Sequence, residues 1–180
     1  MTGQFKSIVL SGGCFWCLEA AFQLIEGVES VIPGYTGGTT QNPSYEEVCT
    51  GTTGHAEAVR ITYDPQVISL EDILHIFWTI HDPTTLNRQG NDVGTEYRSI
   101  IFYADEKEKE IAERSIEEAS TVWDDPVVTE LKPLQEFYEA EAYHHNFFKN
   151  HPEQAYCQII INPKLEKLRR LYSDKLKSNQ

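Results

Sequence analysis

The 180-residue chain is 40% hydrophobic and 24% charged, the balance of one soluble globular domain. Its formal net charge of −13 repels phosphate backbones and anionic lipid heads, and no Lys/Arg cluster precedes the modest Lys164 to Arg170 stretch, which excludes nucleic acid and membrane partners. Met1 to Leu10 lacks a signal-like apolar stretch and no run nears the roughly 20 apolar residues of a bilayer span, so the expected setting is cytoplasmic, where reductants keep the four cysteines as thiols.

No repeat or linker divides the chain, which reads as a single domain over residues 1–180. Phe5 to Leu10 is a short buried strand and Ser11-Gly12-Gly13 a turn. Cys14 to Ile25 follows as a helix, with Phe15, Leu18, Phe22 and Ile25 near helical spacing and Gly27 ending it. A strand around Val28 to Ile32 leads to the turn-rich Pro33 to Asn42, and Pro43 can begin a single helical turn. His55 to Tyr63 alternates strictly. Ser69 and Asp72 form a capping-box-like start to the helix Leu70 to Ile80, and His81 to Glu96 is a long loop without regular pattern. Tyr97 to Tyr103 is strand-like and Asp105 to Val122 a charged amphipathic helix. Val127 to Leu131 and Tyr156 to Ile161 read as strands flanking the aromatic segment Phe137 to Phe148, and Pro163 opens a terminal helix. The mixture predicts an α+β two-layer sandwich with a split βαβ, ferredoxin-like core and a wrapped C-terminal region; a doubly wound parallel sheet is the alternative.

Cys14-Phe15-Trp16-Cys17 stands where a Gly-Gly turn delivers a strand into a helix, which leaves Cys14 at the helix N-terminus. Unpaired N–H groups and the positive end of the helix dipole favour a thiolate there, the nucleophilic form of cysteine. The competing readings are an inert buried thiol and half of a zinc site, the latter short of ligands because Cys49 and Cys157 lack CxxC or CxxH partners. In His55 to Tyr63 the period of two puts Glu57 on one face with Val59, Ile61 and Tyr63, the core-facing side. A desolvated carboxyl group keeps its proton to higher pH than a surface glutamate, as a general acid must; the alternative is that Glu57 reaches water or pairs with Arg60. Taken alone, Tyr45 reads as part of a packing face with Val48 and Cys49, and Asp92 as a turn residue. His144 and His145 read as solvated or packed rather than as metal ligands, because adjacent positions on a helix point apart. Met1 is the only methionine, which suits work among oxidants and chance equally.

Gly13-Cys14-Phe15-Trp16, Gly54 to Val59, His81-Asp82-Pro83-Thr84 and Asn87 to Ser99 resemble, in order and spacing, the hallmark segments of the A-class peptide methionine sulfoxide reductases. The resemblance runs from about Ser7 to Lys167. It implies that Cys14 is the nucleophile, that Phe15 and Trp16 form an apolar pocket for the substrate methyl group, and that Glu57 protonates the sulfoxide oxygen. Tyr45, Asp92 and Tyr97 are then the groups that bind or position that oxygen, directly or through water. The resemblance also favours the α+β sandwich over the doubly wound sheet. Two departures touch recycling alone: Cys17 stands where many members carry glycine, and in place of their glycine-rich, cysteine-bearing tail Cys157 is followed by Gln158-Ile159-Ile160-Ile161.

The implied reaction is attack of the Cys14 thiolate on the sulfur of methionine sulfoxide, free or in proteins, while Glu57 gives a proton to the oxygen. Methionine leaves and Cys14 becomes a sulfenic acid. A second cysteine condenses with it to a disulfide, which thioredoxin or a similar dithiol reduces; no metal or organic cofactor is required. Each sulfoxide epimer needs its own enzyme, so likeness to the A class implies the S epimer. Cys17 is the first candidate for the resolving thiol. One helix turn from Cys14, its Cβ lies about 5 to 6 Å away, and a first turn loosened after Gly-Gly approaches the roughly 3.5 to 4.5 Å of a disulfide. Cys157 is the alternative or a relay toward the reductant, and Cys49 comes third. Two rival functions are a general thiol-disulfide oxidoreductase, which leaves Glu57 and Asn87 to Tyr97 unexplained, and a zinc- or peptide-binding module using the cysteines as ligands or the aromatics as a cage.

Overall fold

The computed structural model describes residues 4–177; residues 1–3 and 178–180 of the expected domain lie outside them. In chain order the elements are β1 (Lys6–Ser11), α1 (Phe15–Phe22), β2 (Val28–Thr36), α2 (Tyr45–Cys49), β3 (Ala56–Tyr63), α3 (Leu70–Ile80), β4 (Arg88–Gln89), β5 (Asp92–Val93), β6 (Ile100–Tyr103), α4 (Glu106–Val122), β7 (Glu130–Pro133), β8 (Tyr138–Glu139), α5 (Phe147–Asn150) and α6 (Asn162–Leu171). A six-stranded sheet runs β7-β6-β1-β3-β2-β8. It is antiparallel apart from the β6–β7 pair, so the fold is mixed α+β and the doubly wound parallel alternative is overturned.

Strand alternation decides which residues meet the helices. Ile8 and Leu10 of β1 and Val59 and Ile61 of β3 pack with Leu18 and Phe22 of α1 and Ile73, Leu74 and Phe77 of α3. Val9, Ala56, Ala58, Ile100 and Phe102 face the other way, beneath Leu134 and Phe137. Both faces are therefore covered where the central strands run, and each fully buried Leu, Ile or Phe stabilises the sandwich by about 1.5–3 kcal/mol. Lys175 and Lys177 tie down the segment after α1, with the Glu26 N–H donating to the Lys175 carbonyl and the Lys177 N–H to the Leu24 carbonyl.

The structure corrects several sequence expectations. Helix α1 ends at Phe22 rather than Ile25, and β2 extends to Thr36 through the stretch expected as turns. Helix α2 begins after Ser44, not at Pro43. Ser44 Oγ accepts from the Glu47 N–H while Glu47 reaches back to the Ser44 N–H, a full capping box that the shorter Pro-based reading overlooked. The loop 81–96 holds the β4–β5 hairpin, whose two-residue strands are too short to show a period. Strand β6 starts at Ile100 because Thr95–Tyr97 coil into a 3₁₀ turn, and β7 lies at Glu130–Pro133, shifted from Val127 to Leu131. Tyr156 to Ile161 is not a strand. Cys157–Ile161 form a π-type turn leading into α6, with Cys157 and Ile161 buried and Ile159 exposed, a helical burial pattern.

Candidate active site

Gly13 takes the chain out of β1 at φ +87°, and its N–H donates to the Tyr97 carbonyl at 3.1 Å. A Cβ here would stand 2.8 Å from the Gln89 side chain, so the β4–β5 hairpin rests directly on the turn. Cys14 consequently becomes the N-cap of α1, with extended backbone. The Trp16 N–H, one of the first-turn donors that lack a helical partner, favours its anion. Burial, then the charges of Glu57 and Cys17, nonetheless push the Cys14 thiol well above its ordinary pKa. The expected resting thiolate is thereby corrected: at 7% exposure, desolvation outweighs the helix terminus.

Glu57 faces the start of α1 as the strand period predicts. The Ser11 hydroxyl donates to its backbone carbonyl, and its Oε1 accepts from the Phe15 N–H at 3.0 Å. Its Oε2 is buried without a partner among the described residues. Burial drives the carboxyl pKa up to about 8; the Phe15 N–H opposes the rise, and Asp92 and Glu96 add to it. Glu57 therefore carries its proton through neutral pH. Arg60 does not pair with it, lying instead 4.9 Å from the centre of the Phe137 ring.

An aromatic wall surrounds this pair. Trp16 stacks on Phe147 at 3.7 Å, and its indole N–H donates to His144 Nδ1 at 3.0 Å. Phe15, fully buried, packs between Tyr35 and His144 at 5.6 and 5.0 Å. Tyr45 lies 4.4 Å from the His144 ring. Tyr45 and Tyr97 both feel the charge of Glu57, and burial, the larger cause, keeps each phenol protonated as a donor.

Two residues here escaped the sequence reading of single positions. His144 is packed, one of the two states expected for it, but it also orients Trp16. Because Nδ1 accepts the indole proton, Nε2 carries the imidazole hydrogen, buried and unpartnered among the described residues. Glu141 accepts from the Tyr35 hydroxyl at 2.7 Å and from the Tyr45 N–H at 2.8 Å. Burial works against its charge, yet these two donors hold its pKa below the usual carboxylate value. The available signal was only the density of aromatics around them in Phe137 to Phe148.

On the opposite side, Cys14, Gln89, Asp92, Tyr156, Ile160 and Lys164 line a cavity of about 420 Å³. The Tyr156 hydroxyl donates to Asp92 Oδ2 at 2.7 Å and meets Cys17 Sγ at 3.7 Å. Cys17 and Cys157 are buried and Cys49 is exposed. Cys14 and Cys157 each sense the charge of Cys17.

The remaining motif residues brace the site. His55 Nδ1 accepts from the Gly38 N–H at 3.0 Å, and its Nε2 donates to the Thr40 carbonyl at 2.6 Å. His81, its pKa lowered to about 4 by burial, bridges the Phe77 carbonyl and the Ser99 hydroxyl. Arg98 donates to the carbonyls of Gly54 and Thr95 and to Glu130, joining the approach to β3 with β7. The whole arrangement suits a sulfur nucleophile attacking a polar centre whose oxygen takes up a proton and whose substituent is apolar.

Comparison with known proteins agrees with this chemistry. Residues 6–176 match the family described as peptide methionine sulfoxide reductase. A relative named peptide methionine sulfoxide reductase MsrA, from Paenarthrobacter aurescens, is 57% identical over 93% of this chain and 97% of its own length. Reduced Mxr1 from Saccharomyces cerevisiae superposes with a TM-score of 0.81 at 34% identity, covering 86% of this chain and 90% of that one. Methionine sulfoxide reductase A of Corynebacterium diphtheriae gives a TM-score of 0.74 at 34% identity, covering 84% and 78%.

Proposed function

This chain belongs to the peptide methionine sulfoxide reductase family, and from that premise we propose how its residues divide the work. The protein is an oxidoreductase that reduces methionine sulfoxide to methionine with a thiol. Cys14 Sγ attacks the sulfoxide sulfur, and Glu57 delivers its proton from the unpartnered Oε2 to the sulfoxide oxygen. Cys14 gains the oxygen as a sulfenic acid, methionine leaves reduced by two electrons, and the thiol proton replaces the one Glu57 gave. Phe15 and Trp16 receive the methyl group; Tyr45 and Tyr97 donate to the oxygen, and Asp92 positions it through water. Family likeness to the A class assigns the S epimer.

The observation that carries this reading is a buried thiol at the start of α1 facing a carboxyl group that keeps its proton to about pH 8. A general thiol-disulfide oxidoreductase leaves the aromatic wall and the loop Asn87 to Tyr97 beside that acid unexplained. In recycling, Cys17, whose charge both Cys14 and Cys157 sense, resolves the sulfenic acid and passes the disulfide to Cys157; thioredoxin then reduces it by exchange. A cytoplasmic setting fits four cysteines that all stand unpaired. We treat residues 1–180 as one domain. The run β1-α1-β2-β3-α3-β6 with sheet order β6-β1-β3-β2 supports a split βαβ, ferredoxin-like core.

Incubation with resolved sulfoxide epimers and dithiothreitol tests the function: the S epimer is reduced and the R epimer is not. Cys14→Ser abolishes the reaction while the circular dichroism of the folded chain is retained. Equal turnover of both epimers, or activity surviving in Cys14→Ser, refutes the assignment.

A further inference from the structure

The hydrogen bonds at Tyr156 can run in only one direction. A phenol has a single proton, and at 2.7 Å from Asp92 Oδ2 that proton is committed to the carboxylate. In the 3.7 Å contact with Cys17 Sγ, the thiol must then donate and the phenol oxygen accept. The result is a directed chain from Cys17 S–H through Tyr156 O–H to Asp92, and Asp92 lines the same cavity as Cys14. We propose that Tyr156 and Asp92 form a proton relay that activates Cys17 for attack on the Cys14 sulfenic acid. The relay rests on the reading of Cys17 as the first resolving thiol.

The step balances within the chain. As the Cys17 proton moves to the phenol oxygen, the phenol proton moves to Asp92. Cys17 sulfur bonds to Cys14 sulfur, the S–O bond of the sulfenic acid breaks, and Asp92 returns a proton to the departing hydroxide, which leaves as water. Cys17 is oxidised and the Cys14 sulfur reduced to the disulfide level, so no outside redox agent enters. The phenol never becomes phenolate, a form that burial and then the charges of Cys14 and Cys17 oppose.

Cys17 has need of such help. Burial raises its pKa; Lys164 on α6 draws it down, while Asp92 on β5 and Glu57 on β3 push it up. Cys157 faces it from the π-type turn. A buried thiol attacks slowly unless its proton has somewhere to go.

The test gives wild type and Tyr156→Phe one equivalent of substrate without reductant. Samples are then quenched in time with a sulfenic acid trap and an alkylating agent, and disulfides are mapped by peptide mass. Scoring starts from the sulfenic acid, so any change in methionine formation is measured separately in the same samples and also reports that the variant is folded. In Tyr156→Phe the sulfenic acid persists about 100-fold longer at pH 7, the lower range of a lost general base. Its conversion accelerates about tenfold per pH unit because thiolate must form without the relay, while wild type stays nearly flat between pH 6 and 8. Asp92→Asn acquires the same slope. A loosened helix alone would slow conversion equally at every pH, and that outcome overturns the relay. A Cys14–Cys17 bond formed at the wild-type rate in Tyr156→Phe overturns the relay and leaves Cys17 as resolver. A first bond between Cys14 and Cys157 in wild type removes Cys17 as resolver, and the relay with it.

Discussion

Cys14 and Glu57 set each other's state. With Glu57 ionised, its charge adds to the burial that already keeps the Cys14 thiol protonated. With Glu57 protonated, that repulsion vanishes, the Trp16 N–H still favours the sulfur anion, and the proton needed by the leaving oxygen is in place. One protonation state of Glu57 thus serves both nucleophile and acid. The reductive step should be level from pH 6 to about 8, where the Glu57 carboxyl loses its proton, and fall about tenfold per unit above that. Single-turnover methionine formation across pH 6 to 9.5 reads it directly. Glu57→Gln should slow the step by about 10²- to 10⁴-fold and erase the break near pH 8. A rate within twofold of wild type, or an unchanged break, assigns the acid elsewhere.

Among the elements that position the site, α2 is too short to persist on its own. Five residues form barely more than one turn, far below the length at which an isolated helix persists. It is held by the Ser44–Glu47 capping box, by Glu141 accepting the Tyr45 N–H, and by Val48 in the core. Ser44→Ala removes one side-chain acceptor at this N-terminus and should lower stability by about 1 kcal/mol in urea titrations. Because Tyr45 rides on the same turn, KM should rise more than kcat falls; the reverse split would place Tyr45 in the chemical step alone. The elements legible in the sequence were those long enough to repeat a period. β3 displayed Glu57 among Val59, Ile61 and Tyr63, α3 announced itself by its Ser69 start, and α4 by its amphipathic charge pattern, although Asp105, read as its first residue, serves as its N-cap. Tyr156 to Ile161 misled because three consecutive isoleucines satisfy a buried strand equally well. Tertiary packing against α1 and α6 decided for the π-type turn. His144 and Glu141 were illegible for another reason. Each acts on a residue about a hundred positions away, Trp16 or Tyr35, and no local pattern records such a pairing.

At the scale of the whole molecule, the site is held against the interest of the fold. Glu57 is buried with one oxygen unpartnered among the described residues, and its folded pKa of about 8 stands above the 4.5 of an exposed glutamate. Below pH 4.5 the group is protonated in both folded and unfolded chains and exerts no penalty. Between pH 4.5 and about 8 the unfolded chain ionises Glu57 while the folded chain does not, so the unfolded state binds fewer protons and stability falls as pH rises. Above pH 8 both states are ionised and the loss is complete, with a ceiling of about 5 kcal/mol at 1.36 kcal/mol per pKa unit. Glu57→Gln has no such titration. Its amide oxygen can still accept the Phe15 N–H, and burying its unpaired NH₂ group costs the same at every pH. The other carboxylates behind the net charge of −13 are common to both proteins and cancel in the comparison. The stability of Glu57→Gln relative to wild type should therefore climb by roughly 2 to 5 kcal/mol between pH 5 and pH 9, even though the variant is catalytically impaired. Urea unfolding of both proteins at half-unit pH steps measures the difference. A difference that stays flat across that range would mean that Glu57 titrates as an exposed carboxylate, and the protonated acid at the centre of the site would have to be given up.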